Sequence, residues 1–405
     1  MKNLLVAQSG GPSAAINATV AGVVERALIS RKIQHIYGAV NGVKGVFAKN
    51  FIDLRQALSS PEKLQLLCNT PAAALGSCRL KLKGEDPQQF QELVSIFREF
   101  NIGYFVYIGG NDSMDTVAKL SQYIAQNHID DIFVMGAPKT IDNDLKSTDH
   151  CPGYGSAAKY IAATFAELER DCHVYDIPAV TIVEVMGRNA GWLTAASALA
   201  RLNGGRGPQL IYLCERPFDE EQFICDVKQQ LQKNPAVLVA VSEGVKDASG
   251  LYLCEKQTHS GVDVFGHKQL SGTAKYLEHL VQREVGCKVR SIELSLMQRC
   301  ASHIASQTDL QESKMLGVTA ADCCLNGDSG KMAIVCRHSN APYQVSYSSA
   351  DIQGIANQEK KVPLEWISPE GSDITPELLE YMKPLIQGET YPKFENGVPV
   401  HLSLY

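Results

Sequence analysis

The chain has 405 residues, 45% of them hydrophobic and 20% charged. That supplies a sizeable core for two or three domains and excludes a disordered, collagen-like or mucin-like chain. Lys+Arg 38 against Asp+Glu 44 gives a net charge of −6, which excludes a broad basic face for nucleic acid but leaves room for a small cationic pocket.

Leu4–Ala7 reads as a buried strand that breaks at Ser9-Gly10-Gly11-Pro12 and gives way to a helical period over Ala14–Leu28. Tyr104–Ile108 is a second strand, broken by Gly109-Gly110 and followed by a helix over Asp115–Gln126. Ile132–Met135 is a third, ending at Gly136-Ala137-Pro138. Val180–Val185 is a fourth, broken at Gly187 and followed by a helix around Trp192–Leu202. Leu210–Leu213 and Val237–Val241 complete the set. Strand, glycine-containing turn and helix in repetition predict βαβ units and a mainly parallel sheet. From about His338 seven prolines punctuate a loop-rich tail, predicted to pack on the body through Trp366, Tyr381 and Leu385-Ile386.

The uncharged stretch Asn3–Val24 is too polar for a membrane span, and its apolar run is too short for a signal sequence. The 12 cysteines form no Cys-x-x-Cys pair, so they read as reduced and buried. Both features predict a soluble, cytoplasmic protein.

Ligands of open parallel sheets bind at the carboxyl ends of the strands, so the segments after each strand carry the chemistry. Ser9-Gly10-Gly11-Pro12-Ser13 can cradle a phosphate on backbone N–H groups, or be a simple turn. In Gly109-Gly110-Asn111-Asp112-Ser113 the carboxylate can repel phosphate or hold Mg²⁺, while Asp112 or Ser113 can equally cap the following helix. Pro138-Lys139-Thr140-Ile141-Asp142-Asn143-Asp144 gathers a lysine, a threonine and two carboxylates. A carboxylate there can take a proton from an attacking hydroxyl, and the lysine can offset charge on a transferring phosphoryl group. In Met186-Gly187-Arg188, Arg188 can grip a phosphate or pair with Glu184. Arg79, Glu243, Arg290 and the Gln298-Arg299 pair are ambiguous singly.

Together SGGP, LGSCR, GGNDS, PKTIDND, MGRNAGW, SEG and Gln298-Arg299, in that order over residues 9 to 299, resemble the phosphofructokinase family. The resemblance implies an α/β fold of two Rossmann-like three-layer domains with mainly parallel sheets and an active-site cleft between them. The donor half is expected at 1–153 plus about 298–345, and the sugar-phosphate half at 154–297 plus about 346–405. The implied reaction moves a phosphoryl group to the 1-hydroxyl of fructose 6-phosphate, with Mg²⁺.

Carried over by motif, Asp142 resembles the base. Thr140, Ile141, Met186, Gly187, Arg188, Glu243 and Leu296 resemble the sugar-phosphate contacts, with Arg290 and Arg299 on the 6-phosphate. Gly11, Gly110 and Arg79 resemble the donor contacts. Asn111 and Asp144 stand at the metal position, where asparagine in place of aspartate leaves coordination to water or to Asp144. Leu296 replaces the usual histidine or tyrosine.

Asp112 and Lys139, where members using ATP carry glycine, resemble the pyrophosphate-dependent members. A carboxylate ~5 Å from an α-phosphate, at an effective dielectric of ~20, repels it by roughly 3 kcal/mol. The expected partners are therefore pyrophosphate and fructose 6-phosphate, with no nucleic acid and no membrane, in a homo-oligomer whose first expectation is a dimer. An ATP-dependent enzyme and a catalytically silent sugar-phosphate-binding subunit are the alternatives.

Overall fold

The computed structural model describes residues 1–82, 87–174, 176–256, 272–355 and 358–405. Eleven strands form its two large sheets. They are β1 Lys2–Gln8, β2 Ile33–Ala39, β3 Phe51–Asp53, β4 Ile102–Gly109, β5 Phe133–Pro138, β6 Ala179–Val185, β7 Leu210–Tyr212, β8 Ala236–Ser242, β9 Lys288–Glu293, β10 Lys331–Asn340 and β11 Tyr343–Asp351. The first sheet runs β11-β10-β5-β4-β1-β2-β3, parallel except for the two edge strands β3 and β11. The second runs β7-β8-β6-β9 and is parallel throughout.

Both sheets are buried on two faces, as strand periodicity requires. Leu4 and Val6 face a core with the helices Ile16–Leu28 and Gln307–Leu325, whereas Leu5 and Ala7 face another with the helices Pro87–Glu99 and Asn111–Gln126. In the second sheet Val183 and Val185 pack toward the helix Tyr154–Cys172, and Val180 and Ile182 toward the helices Glu220–Lys233 and Thr273–Glu284. Each sheet is thus the middle of three layers, the predicted α/β class.

Two features differ from the expectations. The segment after Gly191 holds only one α-turn, Trp192–Ala195, and continues as a 3₁₀ helix to Arg201, fully buried as far as Ala200. Its alanine-rich sequence lets the backbone pack tightly against the helix Tyr154–Cys172, and packing rather than propensity sets the winding. The stretch from Lys331 to Asp351 is a long antiparallel hairpin, not the start of a loop-rich tail. Its β11 alternates intermediate and exposed residues, so it carries no apolar run to announce it. The first sheet consequently extends to Asp351.

The helices Ile16–Leu28 and Gln307–Leu325 cross at glycine contacts. A Cβ on Gly22 would lie 1.9 Å from the Lys314 carbonyl oxygen, and one on Gly317 would lie 2.1 Å from that of Thr19. Alanine at Gly317 gains about 1 kcal/mol of helix propensity, but the backbone clash costs about 1–3 kcal/mol and forces the helices apart. Gly317→Ala is therefore expected to lower the urea midpoint of unfolding, and an unchanged midpoint would refute the close-crossing account.

Candidate active site

The register of the first sheet brings three strand ends level. Gln8 pairs with Ile108 and Gly109 with Pro138, so the loops after β1, β4 and β5 emerge side by side. β2 lies on one side of β1 and β4 on the other, which makes this the point where the strand order reverses. Ser9 N–H donates to the Ile108 carbonyl at 2.9 Å and Lys139 N–H to that of Gly109 at 2.9 Å, continuing the ladder into the loops.

The second sheet offers the matching edge. Val185 pairs with Ser242 and Glu184 with Glu293. Gly187 has φ 135°, a conformation side chains avoid, and its Cβ would meet the Ala190 carbonyl oxygen at 2.5 Å. This break turns the chain, and Arg188 lines one cavity with the loops of the first sheet.

Between the two edges lies a cavity of about 380 Å³. It brings together Gly11, Arg79, Gly110, Asn111, Asp112, Lys139, Thr140, Ile141, Asp142, Asp144, Met186, Arg188, Glu243 and Arg299, out of seven separate sequence segments. Gly187 does not line it but donates its N–H to Glu243 Oε1 at 3.3 Å, orienting that carboxylate.

Lys139 is only 3% exposed, and its ammonium donates to the Gly11 carbonyl. Burial pushes its pKa down to about 8. Asp142 and Asp144 oppose that shift, and Arg299 and Arg79 reinforce it. Asp142 is pushed up to about 7 by burial and by Asp144, against the pull of Lys139 and Arg188. Burial raises Asp144 too, while a hydrogen bond from Thr140 restrains the rise. Glu243 is pushed up to about 8 by burial, against the Gly187 N–H. A lysine titrating near neutrality beside a carboxylate titrating near neutrality is a proton-transfer site with a cation at hand.

Asn111 Nδ2 donates to Asp144 Oδ2 at 3.3 Å, and Asn111 Oδ1 is buried without a hydrogen-bond partner. One orphaned amide oxygen beside a carboxylate fits a hard cation such as Mg²⁺, which takes few protein oxygens and keeps several waters. Among the described residues no three His, Cys, Asp or Glu side chains gather as a metal cage.

Several expectations shift. Arg290 lies outside the cavity: on the edge strand β9 it pairs in register with Thr181 partway along β6 and lines a separate small pocket with Lys288, Asp171 and Cys172, away from the carboxyl ends. Leu296 is 56% exposed and does not line the cavity either. Arg299 does line it, but beside the donor loop: a Cβ on Gly11 would sit 3.6 Å from its Nη1. The Glu184–Arg188 ion pair gives way to a different contact, because Glu184 Oε2 accepts the Ala274 N–H at 2.8 Å at the start of the helix Thr273–Glu284. The cap of the helix Asn111–Gln126 is Gly110, with no side-chain cap.

Asp112 instead pairs with Lys81 at 2.9 Å, both side chains about half exposed. The bare-charge repulsion of a nucleotide is therefore softened by a partner and by solvent. What stands at the cavity mouth is the body of an ion pair. Lys81 lies two residues beyond Arg79 and belongs to none of the motifs. Glu359 also lines the cavity and accepts from Asn189 Nδ2 at 2.7 Å. No local pattern marks it, since it arrives from the C-terminal segment.

The phosphofructokinase family model matches residues 3–324. The chain belongs to the phosphofructokinase family. It is 38% identical to the pyrophosphate--fructose 6-phosphate 1-phosphotransferase of Methylococcus capsulatus, over 100% of this chain and 96% of that protein. It is 39% identical to the enzyme of the same name from Xanthomonas campestris, over 99% and 96%. The solved structure of the pyrophosphate-dependent phosphofructokinase from Nitrosospira multiformis superposes with a TM-score of 0.90 at 37% identity, covering 99% of this chain and 96% of that one. Among the described residues no helix is long and apolar enough to cross a membrane.

The buried carboxylates of this phosphofructokinase carry a stability signature. Glu243 has a folded pKa of about 8, far above the ~4.3 of an unfolded glutamate. Folding takes up a proton there, so the fold loses stability as pH rises from ~4.3 through about 8. Glu243→Gln keeps an oxygen for the Gly187 N–H without the charge. It is expected to melt above the unaltered protein at pH 8 and level with it at pH 4, by circular dichroism. Equal melting temperatures at pH 8 would contradict the assignment.

Proposed function

We propose that this chain catalyses the reversible transfer of a phosphoryl group from pyrophosphate to the 1-hydroxyl of fructose 6-phosphate, giving fructose 1,6-bisphosphate and phosphate. The observation that carries this reading is the burial of Lys139 against Gly11, beside Asp142, where the donor and acceptor loops meet. Two full-length relatives bearing that activity in their names support it.

Asp142 in its ionised form takes the proton of the attacking hydroxyl. The oxygen bonds to the nearer phosphorus, and the bond from that phosphorus to the bridging oxygen breaks, releasing phosphate. In the reverse direction the protonated Asp142 returns the proton to the sugar oxygen. A pKa of about 7 suits both directions, since acid and base forms are both populated at neutrality. Lys139, Arg79 and Arg299 offset the charge of the donor phosphates, and Arg188 and Glu243 hold the sugar phosphate. Asn111 and Asp144 would hold Mg²⁺, whose charge offsets that of the pyrophosphate oxygens when it is bound. The Lys81–Asp112 pair blocks the direction in which a nucleotide would extend.

The protein works in the cytoplasm as a homo-oligomer, with a dimer as the first expectation. Twelve cysteines without a disulfide among the described residues support a reducing compartment. The position of Arg290 outside its own chain's cavity supports an assembly in which a neighbouring copy completes the sugar-phosphate end.

A donor-swap assay checks the reading: with Mg²⁺ and fructose 6-phosphate, pyrophosphate should give turnover and ATP almost none, and the opposite result would sink it. Asp142→Asn should reduce turnover by about 10²–10⁴-fold in both directions, the usual worth of a positioned acid–base group. Asp112→Gly combined with Lys139→Gly should weaken pyrophosphate use and admit some ATP, read as the ratio of kcat/KM for the two donors. If ATP use does not rise, Lys81 or other residues also exclude the nucleotide.

A further inference from the structure

We propose that Lys360, delivered by the C-terminal segment, is a positioning residue for phosphoryl transfer, fixing the turn that carries Asp142 and Asp144 and holding a positive charge behind it. The inference rests on the reading above, and it concerns a residue outside every motif that the reading uses.

The turn after β5 has an unusual middle. Asn143 has φ 54°, a left-handed conformation that asparagine tolerates better than most side chains. Its side chain is 0% exposed and fully used. Oδ1 accepts the Cys151 N–H at 2.9 Å and is 3.5 Å from Lys360 Nζ, and Nδ2 donates to Tyr381 Oη at 3.2 Å. Asp142 and Asp144 flank this kink and both line the cavity. The kink is thus what must be held for the two carboxylates to keep their places.

Two C-terminal elements hold it. Lys360 donates its backbone N–H to the Asp144 carbonyl at 2.7 Å, next to the bridge between Leu145 and Glu359. Its ammonium donates to the Asp149 carbonyl at 2.6 Å and to that of Thr148 at 3.3 Å. Tyr381, from the helix Pro376–Met382, donates its hydroxyl to the same Asp149 carbonyl at 2.8 Å. One ammonium therefore gathers oxygens from both ends of the 143–149 turn.

The charge matters as well as the bonds. Burial holds the Lys360 ammonium below the usual lysine range, while Cys151, Asp149 and Asp144 favour its charge and Arg337 disfavours it. Asp149 is already engaged by Arg337 at 2.8 Å and His150 at 2.8 Å, and His150 reaches on to Glu312. Asp144 is the acidic neighbour of Lys360 that also lines the cavity.

The test uses the full chain with Lys360→Met, which keeps length but loses charge and donors, and Lys360→Arg, which keeps both. Lys360→Met is expected to lower kcat with pyrophosphate by about 10–100-fold and leave both KM values within about threefold. Lys360→Arg is expected to restore most of kcat. Unchanged kcat in a folded Lys360→Met overturns the proposal, and so does a lower kcat that Lys360→Arg does not restore or that comes with KM values raised in proportion. If Lys360→Met does not fold, Tyr381→Phe replaces it: a several-fold loss of kcat at constant KM supports positioning through the turn, and full activity overturns it. No pyrophosphate-dependent turnover in the unaltered protein would overturn the functional reading itself, whereas normal turnover in both sets of proteins would overturn only the part given to Lys360.

Discussion

A lysine ammonium almost cut off from water, with two carboxylates beside it, is expensive to hold, and Lys139 can be held only because the loops of the first sheet close around it. Its hydrogen bond to the Gly11 carbonyl draws the loop after β1 onto the loop after β5. Asp142 and Asp144 supply the opposing charge, and Lys139 in turn keeps Asp142 from rising further. The low dielectric that penalises each of these groups also brings their pKa values toward neutrality, where a proton can move in either direction. Burial, charge balance and reversibility are therefore one constraint seen from three sides.

The sheets meet that constraint by register. Parallel strands ending level place short loops side by side, and two such edges facing each other enclose the cavity. The donor edge is rich in glycine and cation, and the acceptor edge contributes Arg188 and the buried Glu243. At the mouth, Asp112 is paired with Lys81, so its charge there is compensated.

The C-terminal segment joins what the two sheets leave separate. Lys360 packs its carbonyl on Trp192 Nε1 at 2.9 Å while its ammonium ties the 143–149 turn. Trp192, Trp366 and Tyr381 meet edge-on or tilted, with ring centroids 5.4–6.1 Å apart. The expected packing through Trp366 and Tyr381 is present, and Tyr381 also bonds to the 143–149 turn.

The sequence by itself determined the class and the chemistry. Leu4–Ala7, Tyr104–Ile108, Val180–Val185 and Val237–Val241 announced buried parallel strands because continuous apolar runs broken by glycine have few other uses. The turn from Lys139 to Asp144 announced the site because its ionic groups lie within one local segment. The tertiary structure decided what local pattern cannot hold. Glu359, Lys360 and Tyr381 reach the site through contacts spanning more than 150 residues, and such contacts leave no period in the chain. Arg290 moved the other way: its residue type suited a phosphate, but its register beside Thr181 set it partway along the edge strand β9, away from the end where the loops converge. Residue type fixes what a group can do, and only the path of the chain fixes which groups share one cavity.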